Sequence, residues 1–154
     1  MRRRLAIAAV LLAALLGPAQ QAGAQDDALG PIVGHWDHHG FFVTVNADGR
    51  STAIWRVYKW CDQGFDQPCD QIVNNSIVSG GRAVIRFSGP DASGAFQGQV
   101  LETTDPEGLD LGPVSLLPQP YDMALLQQGD FELTMCGDDA LNQAPSDVLE
   151  QCGA

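Results

Sequence analysis

Between Phe41 and Cys136 apolar and polar side chains alternate at a period of two, and glycine, proline, asparagine or aspartate recurs before any run grows long. That period belongs to a strand with one buried face, whereas an amphipathic helix needs apolar residues three and four positions apart. Phe41, Val43 and Val45 share a face, Asn46-Ala47-Asp48-Gly49 supplies a turn, and Ala53, Trp55 and Val57 continue on a return strand. This is a hairpin signal. Ile77 and Val78 lead into Gly80-Gly81, after which Ala83, Ile85 and Phe87 alternate with Arg82, Val84 and Arg86. Phe96, Gly98 and Val100 then alternate with Gln97, Gln99 and Leu101, and Val114 with Leu116, Met123 with Leu125, and Phe131 with Leu133 and Met135 supply three more runs. Residues 106–112 and 118–120, rich in proline and glycine, read as loops. About eight strands on short links predict an all-β fold, a small antiparallel up-and-down β-barrel, since closure removes exposed sheet edges. A tight sandwich is the alternative.

The chain begins with Arg2, Arg3 and Arg4, an apolar stretch from Leu5 to Leu16, and a small-residue end at Ala22-Gly23-Ala24. This is the layout of a cleaved secretory signal peptide, residues 1–24. The apolar stretch, about twelve residues, is too short for the roughly twenty that a membrane-spanning helix requires. Residues 25–33 then form a flexible lead-in, and 34–154 a single β domain, secreted or held in the periplasm or cell envelope, without membrane insertion and as a monomer. Cys61, Cys69, Cys136 and Cys152 all follow the leader, and an even number in an exported chain implies two disulfides. The short separation across Gly64 and Pro68 favours Cys61 with Cys69, leaving Cys136 with Cys152. Removing the three leader arginines leaves five of the eight basic residues against 19 acidic ones, a formal charge of −14. Such a surface repels phosphate backbones, which excludes nucleic acid as a partner.

The chemically loaded cluster is His35-Trp36-Asp37-His38-His39, which holds all three histidines. On a strand His35, Asp37 and His39 would share a face and could converge as imidazole and carboxylate ligands on Zn²⁺ or Cu²⁺. Polar residues at the rim of a sheet explain the same segment. Carboxylates also crowd two loops, Asp62, Asp66 and Asp70 and then Asp105, Glu107 and Asp110, where a solvated loop is favoured over weak Ca²⁺ binding because no EF-hand spacing is present. Ile54, Arg56, Tyr58 and Trp60 share a face of the second strand. If that face lines the barrel, Arg56, Tyr58 and Trp60 form a wall able to stack on a planar ligand and pair with an anion; core packing around a buried Arg56 is the other reading. No nucleophile elbow, free cysteine, phosphate loop or dinucleotide fingerprint occurs, so no catalytic residue and no cofactor is assigned.

Gly34-His35-Trp36 ahead of a strand meander resembles the Gly-x-Trp start of the lipocalin and wider calycin barrels. The resemblance implies that Trp36 plugs a closed barrel end against an arginine, for which Arg56 is the candidate. A longer string is similar to a family of small exported actinobacterial proteins of no known activity: Gly34-x-Trp36, His39-Gly40, Asp48-Gly49, Arg56-x-Tyr58-x-Trp60-Cys61 and Pro68-Cys69-Asp70. That resemblance implies an envelope or secreted location. The expected function is therefore an exported, non-catalytic barrel presenting a cavity or a loop surface to a small molecule or an envelope protein. A metal-dependent enzyme or hydrolase using His35 to His39, and a purely structural or interaction protein of the envelope with a packed interior, are the alternatives.

Overall fold

The computed structural model describes residues 28–153; the expected signal peptide, 1–24, lies outside them. Ten strands form, in chain order β1 (Gly34–His38), β2 (Phe41–Val45), β3 (Arg50–Trp55), β4 (Gln71–Val73), β5 (Ser76–Val78), β6 (Gly81–Pro90), β7 (Phe96–Thr103), β8 (Gly112–Gln119), β9 (Met123–Gln128) and β10 (Phe131–Gly137). Eight of them close into an antiparallel barrel of order β1-β10-β9-β8-β7-β6-β3-β2, while β4 and β5 make a separate two-stranded hairpin. Closure is made by β1 on β10, with Trp36 opposite Gly137 and Asp37 opposite Cys136. Every barrel strand pairs with its neighbour in sequence except across residues 56–80, which leave the barrel after Trp55 and return at Gly81. Those two residues are themselves register partners.

The expected strand number matches the barrel, but its membership differs. Ile77 and Val78 belong to the outlying hairpin, and the staves are completed by β1, the histidine-bearing segment. Val57 falls beyond the end of β3. Pro118, read as a loop residue, sits within β8 opposite Ala124. In β7 the register slips opposite Val84 and Ile85. Leu101 is the extra residue there, a bulge, and it is 49% exposed beside the inward-facing Val100.

The alternation delivers one continuous core in which Val43, Val45, Ala53, Ile85, Val100, Val114, Leu116, Leu126 and Met135 point inward. Both ends are stoppered. At one, Leu29 and Ile32 are wholly buried, and the indole N–H of Trp36 donates to the Ile32 carbonyl at 2.8 Å. Leu29 and Ile32 thus belong to the core and anchor the stretch 28–33, which is not a loose lead-in; burying each such aliphatic side chain contributes on the order of 1.5–3 kcal/mol. At the other end Phe41 stacks on Trp55 with ring centroids 5.2 Å apart and 9° between planes, Phe131 adds a tilted ring, and Leu109 of the β7–β8 loop is fully buried beside them.

The tail folds back after β10 as two single-turn helices, α1 (Ala140–Gln143) and α2 (Ser146–Leu149). Both expected disulfides form, with Cα–Cα separations of 5.2 Å for Cys61–Cys69 and 5.8 Å for Cys136–Cys152, ordinary for the bond. The second ties the tail over a small satellite core of Met123, Cys136, Ala140 and Cys152.

Trp55 fits only because two glycines face it. A methyl group at Gly81 or at Gly108 would overlap the indole, whereas one at Gly30 would meet nothing within 4 Å. Gly81→Ala and Gly108→Ala are each expected to cost about 1–3 kcal/mol by overpacking, and Gly30→Ala to stay within about 0.5 kcal/mol. Urea unfolding followed by tryptophan fluorescence distinguishes the two classes.

Candidate functional site

The parity of β3 decides where the candidate binding residues go. Ala53 and Trp55 face the core, so Ile54 faces outward and is 40% exposed, and Arg56 leaves the barrel on the outer side. Arg56, Tyr58 and Trp60 are brought together, but outside the barrel at the base of the 56–80 excursion. They do not line its interior, because the alternate face of the same strand already fills it. The Arg56 guanidinium carbon lies 4.9 Å from the centroid of the Tyr58 ring and 5.0 Å from that of Trp60. Such cation–π placement contributes about 0.5–1 kcal/mol at exposed sites. Tyr58 is 61% exposed and adopts φ 57°, a left-handed conformation that costs a non-glycine residue roughly 1–2 kcal/mol.

What holds this arrangement is Asp70, whose side chain is wholly buried. One carboxylate oxygen accepts from Arg56 Nε at 2.8 Å and from the Tyr58 N–H at 3.0 Å. The other accepts from Val57 N–H at 3.2 Å and Gly80 N–H at 2.9 Å. The Asp70 backbone also bridges the chain, donating to the Lys59 carbonyl at 2.6 Å and accepting from Cys61 N–H at 3.0 Å. One residue thereby fastens the departing strand, the Cys61–Cys69 loop and the returning Gly80. Burial alone would raise the pKa of this carboxyl, but the Arg56 guanidinium and then the N–H groups of Gly80, Val57 and Tyr58 outweigh it and hold it below its ordinary 3.8. In the sequence Asp70 stands among several loop carboxylates, and nothing local marks it as the buried partner of Arg56.

From this base β4 and β5 project. Every residue of both strands is exposed. Ile72 and Ile77, which stand opposite each other, are 65% and 50% exposed, and Val73 and Val78 45% and 49%. No charged residue occurs between Gln71 and Ser79.

The histidines disperse. β1 ends at His38, so His39 lies in the following turn and does not continue the outward row of His35 and Asp37. His35 Nδ1 is 3.0 Å from the Thr44 hydroxyl, and His38 Nδ1 donates to the Thr134 carbonyl at 2.9 Å. Among the described residues no group of three or more His, Cys, Asp or Glu side chains is arranged to hold a metal ion. The strand geometry that would have aligned His35, Asp37 and His39 stops one residue short. The Trp36–Arg56 contact that the lipocalin resemblance implies is not made: Trp36 is inside the barrel on the Ile32 carbonyl, while Arg56 lies outside it on Asp70. Of the remaining loop acids, Asp105 accepts the Trp55 indole N–H at 2.8 Å and Glu107 lies 3.6 Å from Lys59.

Against known family models, curated proteins and solved structures, the chain has no match. Functional argument therefore rests on the geometry. That geometry offers a braced, projecting apolar hairpin and a filled barrel.

Because the folded pKa of Asp70 is the lower one, its bonds contribute fully above the ordinary value of 3.8 and are lost as pH falls below it. Asp70→Asn, which removes the charge and turns an acceptor into a donor facing N–H groups, is expected to cost about 2–4 kcal/mol near neutral pH. Urea midpoints measured at about pH 5 and about pH 3 are expected to fall further for the native chain than for this variant.

Proposed function

We propose that this chain is an exported, non-catalytic binding protein that engages an envelope protein through the β4–β5 hairpin, with the barrel as its rigid mount. The carrying observation is that hairpin: two strands, both outer edges unpaired, four exposed β-branched residues, and no charge, on a chain of net charge −11. Unpaired edges of this kind accept a strand from another chain, main-chain hydrogen bonds giving affinity and alternate side chains giving specificity. Arg56, Tyr58 and Trp60 act as the brace at its base. A filled interior supports a surface role over an enclosed-ligand role, and the placement of the histidines offers the hydrolase alternative no support.

Export is supported by the basic and apolar leader and by the two disulfides, which are compatible with an oxidising compartment. N-terminal sequencing of the protein recovered from producing cells is expected to begin at Gln25.

A photo-crosslinking residue in place of Ile77, compared with one in place of the outward-facing Gln99, tests the contact. A discrete adduct from position 77 in producing cells, lost when Ile72→Lys is added, is the expected outcome. Equal labelling from both positions, or none from 77, would remove the hairpin as the contact element. Ile72→Lys should leave unfolding free energy within about 0.5 kcal/mol, since the side chain is already in solvent.

A further inference from the structure

The tail and the β1–β2 hairpin do not meet flush. A groove of about 510 Å³ runs between them, its lining including both half-cystines of Cys136–Cys152, a volume in the range of small-molecule sites. Its apolar surface comes from Phe42, Leu141 and Leu149, of which Phe42 and Leu141 are 49% and 74% exposed. Its charge comes from Asp37 and Asp138, and His39 is the remaining titratable side chain in the lining. No lysine or arginine lines it. The ion pairs among the described residues, Arg56 with Asp70 and Lys59 with Glu107, involve neither groove carboxylate.

The groove is also preformed. Asp37 stands in register between Phe42 on β2 and Cys136 on β10. The disulfide fixes the tail to β10, and the His39 N–H donates to the Cys152 carbonyl at 3.3 Å, stapling the tail to the β1–β2 turn. A site held by strand pairing, a covalent bond and a main-chain hydrogen bond loses little ordering entropy when filled. Open apolar area beside two carboxylates without cationic neighbours, on an acidic protein, is complementary to a positively charged guest and repels an anionic one.

We propose that this groove binds a small organic cation with an apolar body, its ammonium group facing Asp37 and Asp138 and its body lying on Phe42 and Leu141. The site is separate from the β4–β5 hairpin and does not depend on a role for it.

The test titrates octylammonium chloride into the isotope-labelled mature protein, with sodium octanoate as the matched anion, and follows backbone amide shifts. Octylammonium is expected to give saturable shifts at His39, Gly40, Phe42, Asp138 and Leu141, and octanoate none there. The double variant Asp37→Asn, Asp138→Asn, both exposed positions, should weaken octylammonium binding roughly five- to tenfold, Leu141→Ser should weaken it by lost apolar contact, and Ile72→Lys should leave it unchanged. Absent shifts in the groove, equal shifts from octanoate, or undiminished binding by the double variant would overturn the assignment.

Discussion

A buried carboxylate with four donors around it organises the excursion of residues 56–80 that stands outside the barrel. Asp70 meets Arg56 and the N–H groups of Val57, Tyr58 and Gly80, so its charge is satisfied from both limbs of one excursion at the point where they pass. A single bond there would leave desolvation uncompensated; the set converts a costly burial into a fixed geometry. The coupling extends into the barrel. The Arg56 N–H donates to the Gly40 carbonyl at 2.9 Å, and Gly40, with φ +83°, turns β1 into β2 where the Arg56 stem and the Tyr58 hydroxyl leave little room for a side chain. The turn, the aromatic brace and the hairpin above it are therefore positioned together.

The barrel itself is closed by a different logic. Its interior is solved by side-chain volume: aromatic stoppers at one end, an N-terminal apolar segment at the other, and glycines where Trp55 and Phe87 need space. The neutral hairpin and the acidic-apolar groove both lie on the outer side, one following β3 and one following β10, the two strands that flank the β1–β2 pair around the barrel.

Much of the fold was legible because period-two alternation depends only on one face being buried. What escaped reading involved segments where that rule is silent. β1 carries a single buried apolar residue, Trp36, and its histidines suggested ligands although its backbone is what closes the ladder. Ile77 and Val78 have strand propensity, yet propensity does not distinguish a barrel stave from a hairpin wet on both faces. Arg56, Tyr58 and Trp60 do come together, but on the outer side of the sheet, which parity with the inward-facing Trp55 requires. The burial of Asp70 had no local signal, because its donors arrive from 10 to 14 positions away in sequence.

Trp55 and Gly81 are register partners on adjacent strands, so the chain leaves and re-enters the barrel at neighbouring points. A tight turn could in principle join them, which makes residues 56–80 an insert on a complete scaffold. Its own disulfide and its own buried ion pair give it internal cohesion. Selection can therefore lengthen, shorten or redecorate that insert while the eight staves stay as they are, and related chains would be expected to agree in their barrels and diverge between these two residues.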